Sequence, residues 1–111
     1  MSGRASTLTE LTVAPLSELP PGSHVIIDAD PIPIGVYNCG GELLAIEDRC
    51  SHDDGPLCEG MWDEGDCRVV CPRHGATFDL RTGAALTLPA YLPVRVFPVR
   101  VDDGIVKVDV D

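Results

Sequence analysis

The chain has 111 residues, 44% of them hydrophobic, with 8 basic against 18 acidic side chains and a formal charge of −10. That is one domain's worth of chain, with no room for a second sizeable core, and so few Lys and Arg argue against nucleic acid or an anionic membrane as a partner and in favour of a basic protein. No apolar run approaches the roughly 18 residues of a membrane span, and Met1 to Glu10 lacks the basic start and apolar centre of a secretory signal, so the expected address is the cytoplasm.

In chain order, residues 1–7 (MSGRAST) are small and polar and are expected to fray, leaving a single domain over residues 8–111. From Leu8 onward Gly, Pro, Asn or Asp interrupts the chain roughly every 8–12 residues, and the stretches between are short and β-branched, an all-β pattern. LTVA comes first. PLSEL, from Pro15 to Leu19, is too short for a helix on its own and stops at Pro20-Pro21-Gly22, so one turn is expected there. HVIID follows, then PIGVYN and ELLAIE on either side of Asn38-Cys39-Gly40-Gly41, a hairpin signal. CRVVC and TFDL come next. The clearest hairpin runs from Val94 to Val101, turns at Asp102-Asp103-Gly104 and returns through Ile105 to Val110, with alternation on both arms. Pro98 interrupts its first arm, which predicts a sheet edge or a bulge at that point. No repeat, linker or low-complexity segment is present.

Between Arg49 and Val69 the β pattern lapses into CSHDDGPLCEGMWDEGDC, a stretch that neither alternation nor helical periodicity explains. Loops of this length in small domains usually serve a function. Nine of the eighteen acids lie between Glu42 and Asp66, against one base, Arg49. Such a concentration either is a solvated surface or steers a basic partner in a salt-dependent way. Trp62, in the same stretch, is expected to pack over the loop rather than to serve as an exposed anchor.

Five cysteines stand at positions 39, 50, 58, 67 and 71. An odd number without a secretory signal points to reduced thiols or metal ligands rather than a disulfide framework. Cys39, Cys58 and Cys67 have no evident mates. Cys50-Ser51-His52 and Cys71-Pro72-Arg73-His74, however, each pair a thiolate donor with an imidazole donor, so each can act as one pincer of a metal site. Glycines and prolines around them allow tight turns that aim backbone N–H groups at sulfur. His24 stands alone in a strand pattern and is read as an ordinary strand residue.

The two pincers resemble the signature of the Rieske iron–sulfur proteins, C-x-H followed at a distance by C-x-x-H. The segments CSHDDGPL and CPRHGATFDLRTG, with the strand order around them, are similar to soluble Rieske-type ferredoxins over most of the chain. The resemblance implies a Rieske-like antiparallel β sandwich or partly open barrel with a small cluster-binding lobe over residues 48–80. It implies one 2Fe-2S cluster, with Cys50 and Cys71 on one iron and His52 and His74 on the other, the electron entering at the histidine end. A structural zinc site from the same four residues is the other reading, although zinc favours C-x2-4-C and H-x3-5-H pincers.

Respiratory Rieske proteins resemble the chain at the ligands but add a disulfide between the loops, where Gly55 and Arg73 stand here, so no disulfide at the cluster is expected. They also carry Ser and Tyr hydroxyls where Ala76 and Phe78 stand here. Without those donors, and with Asp53 and Asp54 beside His52, the resemblance implies a potential near the low end of the Rieske range, about −150 mV.

The implied function is a soluble one-electron carrier and not an enzyme, taking electrons from a flavoprotein reductase and passing them to a terminal oxygenase or similar acceptor, as a monomer. A mononuclear oxygenase iron needs two further histidines and a carboxylate, and only His24 is left over. The small subunit of an assimilatory nitrite reductase is the alternative, and a zinc-stabilised interaction module a weaker one.

Overall fold

A computed structural model describes residues 9–29, 32–52 and 55–110. The expected tail over residues 1–7 and the acidic pair Asp53 and Asp54 lie outside the described residues.

Three antiparallel sheets account for nearly all the regular structure. The first joins β1 (Thr9–Pro15) to β10 (Ile105–Val110) and β10 to β9 (Val99–Asp102). The second runs in the order β2 (His24–Ile27), β3 (Ile34–Cys39), β4 (Glu42–Glu47), β8 (Val96–Phe97). The third is smaller and joins β5 (Trp62–Asp63), β6 (Arg68–Val70) and β7 (Thr77–Asp79). The sheets stay open, and the expected turn after β1 is a single 3-10 turn over Leu16–Glu18.

Turn chemistry sets both expected hairpins. Asp103 and Gly104 adopt φ values of 54° and 78°, the left-handed pair that matches the right-handed twist of flanking strands. At the β3–β4 turn Gly40 and Gly41 also have positive φ, and the Asn38 side-chain oxygen accepts the Gly41 N–H at 2.8 Å. Pro98 does more than mark an edge. The expected strand breaks there: β8 pairs with β4 through Ala45↔Phe97 and Ile46↔Val96, whereas β9 pairs with β10. Lacking an N–H, Pro98 is a low-cost place for the chain to leave one ladder for another.

β3 carries the architecture, because all six of its residues are buried. With a side-chain period of two, Ile34 and Val36 face a core shared with Leu19, Ala45, Val106 and Val108, which joins the first sheet to the second. Tyr37 and Cys39 face a second core, with Ile46, Leu57, Val69, Phe78 and Leu80. The first core belongs to a base of long strands. The second belongs to the small sheet and its loops.

Two corrections concern the lobe. Cys39 and Cys67 form a disulfide across 28 residues, with Cα atoms 5.9 Å apart, so the expectation of reduced, mateless thiols fails for this pair. The end of β3 and the turn before β6 are brought together only by packing of the lobe on the base, which cysteine spacing cannot reveal. Second, Trp62–Asp63 forms a strand inside the stretch expected as loop, with Trp62 opposite Val69. Two residues are too few to show alternation.

Candidate metal centre

The two motifs sit on loops of matching design. Cys50 donates its backbone N–H to the Gly55 carbonyl at 2.8 Å, and Cys71 donates its own to the Ala76 carbonyl at 2.7 Å, so each cysteine closes a loop on the residue five positions later. The second loop is tightened by Gly75 N–H donating to the Cys71 carbonyl at 3.0 Å, with Gly75 at φ +76°. In the first loop, Asp48 accepts the N–H groups of Leu57 and Cys58 on one carboxylate oxygen, at 2.8 and 2.7 Å. That carboxylate anchors the far end of the first loop to the end of β4. Glu47 beside it is buried, ion-paired with Arg49 at 3.3 Å, and accepts the Arg95 N–H at 2.6 Å.

These loops bring His52 and His74 together and place Cys50 and Cys71 in one buried cluster. Cys50 and Cys71 are buried and lie outside the disulfide. His52 and His74 are exposed, and their rings meet edge to face with centroids 4.8 Å apart. The donor set therefore grades from buried thiol to exposed imidazole. No three His, Cys, Asp or Glu side chains converge as one ion would need among the described residues. A bridged two-iron group asks for less, two ligands at each metal. Ala76 and Phe78, where hydroxyl donors would stand, are fully buried in the core behind the second loop.

His24 belongs elsewhere, as expected of a strand residue. It lies on β2, stacks on Tyr37 at 5.0 Å, and its Nε2–H donates to the Cys58 carbonyl at 3.1 Å. Trp62 packs edge-on against Tyr37 at 5.0 Å and against His24 at 6.0 Å, the packing role expected of it. Beneath them the Cys58 thiol is pushed up to about 12, chiefly by burial, with Tyr37 opposing and the Asp48 charge reinforcing the shift. Burial drives the Tyr37 hydroxyl upward as well. Cys58 is thus a protonated core residue.

The acidic run changes meaning in three dimensions. Glu42 pairs with Arg81 at 2.8 Å, Glu47 and Asp48 hold the loop base, Asp63 accepts the Gly65 N–H, and Glu64 accepts the Gly40 N–H. Five of the nine acids thus have partners within the chain, and of these Glu42, Asp63 and Glu64 stay exposed, as Glu59 and Asp66 are. Asp53 and Asp54 lie outside the described residues.

Sequence reasoning passed over a third segment at the site. Residues 86–93 (LTLPAYLP) run beside the first loop, where Ser51 Oγ donates to the Leu92 carbonyl at 2.5 Å. The signal available was a Pro-bounded apolar stretch outside any strand.

Comparisons agree with this geometry. The 3-phenylpropionate/cinnamic acid dioxygenase ferredoxin subunit of Escherichia coli (strain K12) is 41% identical over 102 residues, covering 92% of this chain and 94% of that protein. Among solved structures, the ferredoxin of carbazole 1,9a-dioxygenase from Nocardioides aromaticivorans IC177 superposes with a TM-score of 0.83 at 37% identity, over 90% of this chain and 96% of that one. A Sphingomonas yanoikuyae B1 ferredoxin gives 0.82 at 30% identity, over 93% and 100%. A further match, at 0.83 and 34% identity over 89% of this chain and 91% of that one, comes from a complex of reduced oxygenase and oxidized ferredoxin in carbazole 1,9a-dioxygenase. A family description, the Rieske [2Fe-2S] domain, matches residues 9–98. With buried thiols, exposed imidazoles and this match over most of its length, the chain belongs to the Rieske [2Fe-2S] domain family.

Proposed function

We propose that the protein is the ferredoxin component of a multicomponent dioxygenase, a one-electron carrier that delivers electrons to a terminal oxygenase. Its ligands on this reading are Cys50 and Cys71 for one iron and His52 and His74 for the other. When bound, the 2Fe-2S cluster supplies a site that takes up and gives back a single electron. The observation that carries the reading is the grading of the donor set, with thiols inside and imidazoles at the surface.

The chain's own part is to hold that gradient. Asp48, the Cys50–Gly55 bond and the Cys71–Ala76 bond fix both loops before a partner arrives, which keeps the geometry change on reduction small. The buried sulfurs are shielded from water, and the imidazole edges are where another protein comes nearest. As neutral ligands, His52 and His74 would make an iron they hold the easier one to reduce, which would put the accepting site at the face that meets the partner. Electrons come from a flavoprotein reductase, and the carrier works as a cytoplasmic monomer.

The test is EPR of the dithionite-reduced protein with iron and sulfide analysis. A rhombic signal of low average g, with about two irons and two labile sulfides per chain, is expected. Zinc in place of iron, with no signal, would sink the reading.

A further inference from the structure

In a chain of charge −10, residues 86–93 carry no charged side chain, yet they are well exposed. Leu88 is 80% exposed, Tyr91 78% and Leu92 54%. Three large apolar side chains within five residues are a costly thing to show to water and usually mark an interaction site.

The segment is held firmly in place. Leu86 N–H donates to the Thr77 carbonyl at 2.7 Å, Val94 N–H donates to the Gly83 carbonyl at 2.9 Å, and Ala90 and Val94 are buried in the lobe core. Ser51, between ligand candidates Cys50 and His52, ties the segment to the first loop through the Leu92 carbonyl. The apolar side chains are therefore presented by a rigid support next to the exposed imidazoles, where ordering costs little on binding.

We propose that Leu88, Tyr91 and Leu92 form an apolar crest that docks the terminal oxygenase, fixing it over His52 and His74. This rests on the carrier reading above and adds the surface that such a carrier uses. Continuity with the imidazole face points to the electron acceptor as occupant, and a structurally similar ferredoxin is known in complex with an oxygenase. The segment is uncharged in a chain of charge −10, so net charge guides approach at long range while the contact itself is apolar. A tyrosine flanked by leucines suits that role, because Tyr buries a large area with few rotors to freeze.

The experiment is stopped-flow transfer from the pre-reduced protein to the oxygenase component of the Escherichia coli 3-phenylpropionate/cinnamic acid dioxygenase, whose own ferredoxin is the 41% identical relative. Leu88→Ala/Tyr91→Ala is compared with wild type and with Val101→Ser, a change at an exposed valine on β9. The double variant should keep its EPR signal and its saturating transfer rate, while half-saturation rises about tenfold or more. The rise should persist at high salt. Val101→Ser should behave as wild type. Unchanged half-saturation in a double variant that keeps its cluster would overturn the crest and leave the carrier reading standing. A wild-type dimer that the double variant converts to monomer would also overturn it, by assigning the crest to self-association. Absence of an iron–sulfur signal in wild type would remove the carrier reading and the crest with it.

Discussion

The base and the lobe solve the same problem, holding strands together, by different means. Apart from the two-residue β8, the base has strands of four to seven residues on both sides of an aliphatic core of Leu19, Ile34, Val36, Ala45, Val106 and Val108. Its stability is distributed over ladder bonds and apolar area. The lobe has strands of two or three residues, and five cysteines lie in its core. Cross-links replace length there: the Cys39–Cys67 disulfide, the Asp48 anchor and close glycine contacts. A short-stranded lobe gives up cooperative stability in return for two loops that can face each other across a cluster.

The largest break in that comparison should come from Cys50→Ser or Cys71→Ser. Either change is expected to abolish cluster binding and loosen the lobe while the base keeps its far-UV signal, as measured by visible absorption and circular dichroism. A mutant with the native visible spectrum would contradict the ligand assignment. Because structural metal binding is folding free energy, the effect on the lobe should exceed that of any single packing change.

Next in size are two changes that separate the regions. Gly60→Ala places a Cβ inside the Val70 carbonyl oxygen, where backbone cannot give way, and should cost about 3 kcal/mol with loss of cluster occupancy. Ile34→Ala opens a hole in the base core and should cost about the same, 2–5 kcal/mol, yet leave the iron content per folded chain unchanged. Chemical denaturation with iron analysis distinguishes them. Equal iron loss in both would mean that the regions are one cooperative unit.

Cys39→Ala/Cys67→Ala should lower stability by about 2–4 kcal/mol, since the bond closes a long loop containing the whole first motif. Thermal unfolding of the double variant checks this, and a melting point equal to wild type would show that the staple is dispensable.

Smallest at neutral pH is a pH dependence that emerges only in alkali. The folded state raises Cys58 to about 12, so the native protein holds that proton more tightly than the unfolded chain, whose thiols titrate near about 8.5. The contribution is complete below the unfolded value and falls as pH rises toward 12. Denaturant midpoints of wild type should therefore decline faster over that window than those of Cys58→Ala. Parallel declines would place the alkaline sensitivity elsewhere.

The sequence was most legible where chemistry is local. Turn residues marked the β3–β4 and β9–β10 hairpins, because positive φ at Gly40, Gly41 and Gly104 is a property of a few adjacent residues. Pro98 marked an interruption. It did not say that the strand would change sheets, since that depends on which ladder lies on each side. The acidic run was legible as composition but not as function, because Glu42, Glu47 and Glu64 find partners far away in sequence.

For the site, Cys50, His52, Cys71 and His74 stood out by spacing, and spacing within a pincer is set by the loop that carries it. By itself, then, the sequence determined the all-β class, the two hairpins, the candidate ligand pairs and the family that their motifs resemble. Tertiary structure alone decided that β3 is buried on both faces, that Cys39 meets Cys67, that imidazoles rather than thiols reach the surface, and that residues 86–93 lie against the first loop. Each of those depends on contacts between segments distant in the chain, fixed by packing the lobe on the base, and no local pattern of residue types encodes which distant segment will arrive.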